Sequence, residues 1–146
     1  MASPNLISIG YEGRDADELI AQLKAERVTV LVDVRLNPIS RKKGLSKTAL
    51  KDALNASGIG YLHYRELGNP KDNRDAYREG AREARDRFER LLNEPTATEA
   101  LRHVMELLDD ERVALLCFER DHSTCHRSQI SSALQGLDPS LLVHKV

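Results

Sequence analysis

Short apolar runs alternate along the chain with stretches in which apolar residues recur every three or four positions. The runs read as strands and the stretches as helices. Asn5 to Ile9 is the first strand. Asp15 with Glu18 three residues on forms a capping box, and Leu19, Ile20 and Leu23 give the helix behind it one apolar face. Arg27 to Val34 is apolar and β-branched nearly throughout, the composition of a central parallel strand covered on both sides. Ser46 caps a helix that carries Leu50 and Leu54 and ends at Ser57-Gly58, and Ile59 to Tyr64 follows as the third strand. Arg74 to Leu92 is a charged helix with a narrow apolar stripe, interrupted only by Gly80. Pro95 breaks it, and Thr98 opens the next helix, with Leu101, Val104, Met105 and Leu108 on one side. Arg112 to Phe118 is the fourth strand. A helix starting at Cys125 or Ser128 ends at Gly136, and Leu141 to Val146 is a terminal edge strand of either direction.

Strands alternating with helices predict right-handed crossovers and a mostly parallel sheet. The expected architecture is a single three-layer α/β domain over residues 1–146, with about five strands flanked by helices. In such a sheet, ligands bind outside the carboxyl ends of the strands. The unusual polar residues fall there. Ile7-Ser8-Ile9 runs into Gly10-Tyr11-Glu12-Gly13-Arg14, and Val30-Leu31-Val32 into Asp33-Val34-Arg35, with Asn37-Pro38 and Ser40-Arg41 behind. Tyr61-Leu62 runs into His63, Tyr64, Arg65 and Glu66. Val113 to Leu116 runs into Cys117, Glu119 and Cys125-His126-Arg127. One shared site at this rim is expected.

Composition narrows the function classes. The 146 residues carry 22 basic and 23 acidic side chains, a formal net charge of -1, so no global field draws in nucleic acid or an anionic membrane. Aromatics are 4% with no Trp, a poor supply for a base-stacking platform. Met1-Ala2-Ser3-Pro4-Asn5 lacks the basic and apolar regions of a signal peptide, and no apolar run approaches the ~20 residues of a bilayer span. Two cysteines eight positions apart do not form a secreted disulfide framework. A cytoplasmic protein is expected.

Several residues at the rim could carry chemistry. Asp33 and Arg35 point to the same side of a strand. They read either as a structural ion pair or as an anion-binding Arg35 oriented by Asp33. The basic loop Ser40-Arg41-Lys42-Lys43-Gly44 suits phosphate. Cys125-His126-Arg127-Ser128 leads into a helix whose N-terminus favours an anion. There Cys125, beside His126 and Arg127, is a candidate nucleophile. Cys117 reads as a small buried hydrophobe or a ligand contact. Cys117, His122, Cys125 and His126, with His63 across the rim, offer metal-ligand chemistry. Their spacing is not that of structural zinc, which pairs thiols roughly two to four residues apart. The strand-Cys-loop-Arg-helix order echoes a rhodanese-like layout, but the spacing fits neither a phosphatase nor a rhodanese loop: nine residues separate Cys117 from Arg127, and one separates Cys125 from it, which leaves a distant analogy.

Ile9-Gly10-Tyr11-Glu12-Gly13-Arg14, Leu31-Val32-Asp33-Val34-Arg35 with Asn37-Pro38-Ile39-Ser40-Arg41, Gly58 to His63, Glu66 to Pro70 and Leu115 to Glu119 through Cys125-His126-Arg127 resemble, in order, the blocks of the domain of unknown function 488 family. The resemblance spans nearly the whole chain. It implies a compact, cytoplasmic α/β domain and supplies no activity or cofactor. Asp33, Arg35, Cys117, Glu119, Cys125, His126 and Arg127 fall on its motif positions.

The functional expectation is an enzyme acting on a phosphate-bearing or other anionic small molecule, such as a nucleotide. Glu119, His126, Cys125, Asp33 and Glu12 are its candidate catalytic groups. Arg35, Arg41, Arg127, Asn37, Tyr11, His63 and Cys117 are its candidate ligand contacts, with no metal assigned. The alternatives are a non-catalytic nucleotide or nucleic-acid binding module and a metal-dependent hydrolase with Cys and His ligands.

Overall fold

The computed structural model describes residues 5–146; Met1 to Pro4, most of the stretch that lacks a signal-peptide pattern, lie outside them. Five strands, β1 (Asn5–Gly10), β2 (Val30–Asp33), β3 (Gly60–His63), β4 (Val113–Cys117) and β5 (Leu142–Lys145), form one sheet in the order β3-β2-β4-β1-β5. Every pairing is parallel, including that of the terminal strand β5 with β1.

The connections change direction once. The chain runs from β1 to β2 to β3 toward one edge, then returns to β4 and passes on to β5. With right-handed crossovers this reversal puts the later helices on the opposite face. Helices α1 (Ala16–Ala25) and α2 (Lys47–Ala56) cover one face. There Leu19, Leu23, Leu50 and Leu54 pack on Ile7, Ile9, Leu31 and Leu116. The other face carries α3 (Lys71–Arg78), α4 (Arg82–Leu92), α5 (Pro95–Asp110) and α6 (Arg127–Leu137). Phe88, Val104, Ile130 and Leu134 pack there on Leu6, Val32, Val113 and Leu115. Among the described residues, no helix is long and apolar enough to cross a membrane.

Local chemistry sets the element bounds. The capping box at Asp15 forms in full: Asp15 Oδ1 accepts from the Glu18 backbone at 2.8 Å, and Glu18 Oε1 accepts from the Asp15 backbone at 3.1 Å. Arg27 does not begin β2. It closes the turn after α1 at φ 59°, so the strand starts three residues later. Ser46 holds the N-cap position of α2 without a capping bond, because its hydroxyl pairs with the Ser40 backbone instead. The charged stretch beyond residue 70 is two helices rather than one. Gly80, at φ 81°, takes a left-handed turn between α3 and α4 that other residues rarely adopt. Pro95 is the first residue of α5, where its missing N–H costs nothing, so that helix opens three residues before Thr98.

Candidate functional site

Strand register aligns the exits. Gly10 pairs with Cys117, and Asp33 pairs with Leu116 on one side and His63 on the other. The loops leaving β1 and β2 turn toward one face of the sheet and those leaving β3 and β4 toward the other. A crevice opens between them. It holds a cavity of about 150 Å³ lined by Tyr11, Arg35, Leu36, Asn37, Ile39, Asn69, Arg74, Arg78, Cys117, Phe118, Glu119 and His126. Tyr11, Arg35, Asn37, Cys117, Glu119 and His126 are thus brought together from three of the four strand exits that the chain pattern singles out.

The remaining candidates lie around the cavity rather than in it. Asp33 is fully buried and clasps Arg35: Arg35 Nε donates to Asp33 Oδ1 at 2.9 Å and Nη2 to Oδ2 at 2.7 Å. The third guanidinium nitrogen donates to the Leu45 carbonyl at 2.7 Å, and Tyr61 donates its hydroxyl to Asp33 at 2.5 Å. Burial opposes the charge on Arg35, but the Asp33 carboxylate more than offsets it and raises the guanidinium pKa. Burial, followed by the Asp33 charge, pushes the Tyr61 phenol up. The Asp33–Arg35 ion pair thus forms in full, and Arg35 also lines the cavity. Glu12 is exposed, and its carboxylate accepts from the Arg120 backbone at 3.0 Å, stapling two loops. Arg41 is exposed on the basic loop. The neighbouring Lys42 is spent on the carbonyls of Tyr11 and Arg14, at 3.0 and 3.1 Å. His63 pairs through Nε2 with the Arg35 carbonyl at 2.7 Å.

Arg127 is the sharpest departure from expectation. It has 0% exposure and points into the protein. Its guanidinium donates to Ser8 Oγ at 3.0 Å, to Cys125 Sγ at 3.3 Å and to the Glu119 carbonyl. It makes no ion pair with a carboxylate among the described residues. A buried cation needs a compensating partner, and the Cys125 sulfur is the acidic group that it touches. Arg127 thus anchors the β4–α6 loop from behind and does not line the cavity.

Cys117, Cys125 and His126 meet at the cavity floor, with their ligating atoms all within 4.8 Å of one another. His126 Nδ1 lies 3.8 Å from Cys117 Sγ and 3.6 Å from Cys125 Sγ, while Nε2 donates to the Val34 carbonyl at 2.8 Å. Phe88 packs edge-on against the imidazole. Burial opposes ionisation of Cys125. The hydrogen bond from Cys117 and the charges of His126 and Arg127 outweigh it and hold the thiol well below its usual range. Cys117 is driven up as the proton-bearing partner, by its bond to Cys125 and by burial. Burial acts against the His126 cation, but the Cys125 charge overrides it and raises that pKa. Glu119 is raised by burial and then by the Cys125 charge, against the pull of Arg78, whose Nε lies 3.8 Å from its carboxylate.

Three polar contributors escape a reading of the chain. Asn69, Arg74 and Arg78 line the side of the cavity supplied by α3 and the turn before it. Arg74 is tied by Nε to the Asn69 carbonyl at 3.2 Å, and Asn69 accepts from Asn73 at 2.9 Å. The arginines sit in a run rich in charge, which resembles a solvated face. The one signal that separates them is their four-residue spacing, which puts both on one side of a helix.

The family described as "Domain of unknown function DUF488" has a sequence model that matches residues 15–134. No curated protein and no solved structure matches the chain.

Proposed function

The chain belongs to the DUF488 family, and within it we propose that this member is an enzyme acting on a small anionic molecule held in the strand-exit cavity. The observation that supports this reading is the composition of one enclosure. Arg74 and Arg78 of α3 face Glu119 and His126 of the β4–α6 loop across about 150 Å³. The guanidiniums supply charge-assisted donors for an anion, and the side chains of Asn37 and Asn69 supply neutral polar groups beside them. Arg35 contributes less charge than these two, since the Asp33 carboxylate neutralises it and Asp33 and Leu45 take three of its five N–H donors.

Size limits the ligand. Pockets for drug-sized molecules run to roughly 300–1,000 Å³, and this one is smaller. It suits a phosphate or carboxylate group with a short carbon skeleton, or the anionic end of a larger molecule. Glu119 is the acid–base group of this reading. Its carboxyl lines the cavity, is nearly buried, and is held near Arg78. Proton transfer by such a group contributes about 10²–10⁴ in rate.

A thermal-shift panel of inorganic phosphate, sulfate, short phosphate esters and short carboxylates tests the binding. A ligand selective for the folded state raises the melting temperature. Hydrolysis of the esters that bind is then measured with wild type and Glu119→Gln. The expected result is retained binding and lost turnover in the variant. A panel in which no anion stabilises the protein overturns the reading. Anion binding without turnover of any bound ester would favour a binding module instead.

A further inference from the structure

We propose that Cys117 Sγ, Cys125 Sγ and His126 Nδ1 form a zinc site whose fourth position opens onto the cavity. Three independent features of the cluster converge on this. The first is spacing. A tetrahedral zinc at about 2.3 Å from sulfur and about 2.0 Å from nitrogen separates its sulfur and nitrogen ligands by roughly 3.6 Å. The two sulfur–nitrogen distances are 3.6 and 3.8 Å. All three ligating atoms lie within 4.8 Å of one another, close enough for small side-chain adjustments to bring them onto one ion.

The second feature is orientation. A metal-binding histidine commonly donates its other ring N–H to a carbonyl or carboxylate, which fixes the tautomer and aims the free nitrogen. His126 Nε2 donates to the Val34 carbonyl at 2.8 Å, and Nδ1 is the nitrogen turned toward both sulfurs. Cys125 has an outer partner of its own, the Nε–H of the buried Arg127 at 3.3 Å. Adjacent residues can both serve because the backbone changes between them. Cys125 is extended (φ -110°, ψ 146°), and His126 has turned into the helical region (φ -60°, ψ -14°).

The third feature is access. Cys117 and His126 line the cavity, whereas Cys125 lies fully buried behind them. A metal on these ligands would be closed by protein on three sides and open on the fourth. Three protein ligands with one free position is the arrangement of catalytic rather than structural zinc. Two thiolates and an imidazole also select a borderline-soft ion over magnesium or calcium, which take oxygen ligands. The thiol spacing along the chain hides this site, because the third ligand is supplied by a neighbour in sequence and the first by the end of β4.

The zinc site does not depend on the anion reading, and its test uses no substrate. Tag-free, fully reduced protein is titrated with Zn²⁺, Co²⁺ and Mg²⁺. Bound metal is counted by mass spectrometry of the desalted protein, and melting temperature and absorption are recorded. One zinc per chain, a rise in melting temperature with Zn²⁺ but not Mg²⁺, and a sulfur-to-cobalt charge-transfer band are expected. Cys117→Ser should weaken zinc binding by more than about tenfold, the scale of even an outer-shell loss. Wild-type protein that retains no zinc after desalting, or a cobalt complex without the sulfur band, overturns the proposal. Both of these readouts come from wild type, so they decide for or against the site even where the variant fails to fold.

Discussion

Gly10, the last residue of β1, lies directly against the backbone of Glu119: a β-carbon added to Gly10 would sit 1.9 Å from the Glu119 carbonyl oxygen. The same carbonyl accepts from the buried guanidinium of Arg127. Glu119 is thus positioned through its backbone, by a strand that comes close enough to touch it and an arginine that holds it from within.

Gly10→Ala should therefore act on the site and on stability together. The obstructing atoms are backbone, so the β4–α6 loop has to shift. Overpacking of this kind costs about 1–3 kcal/mol. Urea denaturation should show that loss, and the anion-dependent thermal shift should fall with it. An alanine variant with wild-type stability and ligand response would contradict the contact.

The Asp33–Arg35 pair should behave as a buried ion pair. Asp33→Asn leaves the Arg35 guanidinium buried without its counter-charge, a loss of about 3–5 kcal/mol. Tyr61→Phe removes one hydrogen bond to the same carboxylate and should cost less, about 1–3 kcal/mol. Chemical denaturation of the two single variants and the double variant should give a non-additive cycle, since both act on one carboxylate.

Arg74→Ala and Arg78→Ala should weaken anion binding with little effect on folding. Both side chains lie outside the core, and Arg78 is 42% exposed. A hydrogen bond to a charged group is worth about 1.5–3 kcal/mol, so calorimetry should record at least a tenfold loss in affinity for any anion that stabilises the wild type. Unchanged affinity in both variants would remove α3 from the site.

His122 should make the protein sensitive to mild acid. Its ring bonds to Ser8 Oγ at 2.7 Å, and burial, then the charges of Arg127 and Lys145, lower its pKa. The unfolded chain, with a histidine near the ordinary value of about 6.5, takes up the proton first. The contribution to stability is complete above that value and declines as pH falls through the lowered pKa of the folded state. Denaturation midpoints measured across this range should drop toward acid, and His122→Asn should flatten the slope.

Much of the fold is legible in the chain because each strand is a compact apolar run and each early helix carries its own start signal. The departures have local causes. The left-handed Arg27 shortens β2, and Gly80 divides one charged helix into two. The site is less legible. Arg127 beside a helix start suggests an anion contact, and nothing in its neighbours reveals that it is swallowed by the core with Ser8 as a partner 119 residues away. Arg74 and Arg78 escape for the opposite reason: they stand among many charged residues, and only the packing of α3 against the rim distinguishes them. The Cys117, Cys125 and His126 cluster depends on how far the β4–α6 loop folds back, which no spacing rule specifies.

The single reversal of strand order assigns the two sides of the crevice to separate stretches of polypeptide. Arg74 and Arg78 belong to a helical excursion between β3 and β4, while the thiols and imidazole belong to the segment from β4 into α6. Evolution can therefore rewrite what this scaffold admits by altering one short helix, leaving the sulfur–imidazole floor and its arginine anchor untouched. On the proposed reading, exchanges at positions 74 and 78 would change which anion the cavity accepts while the floor stays as it is.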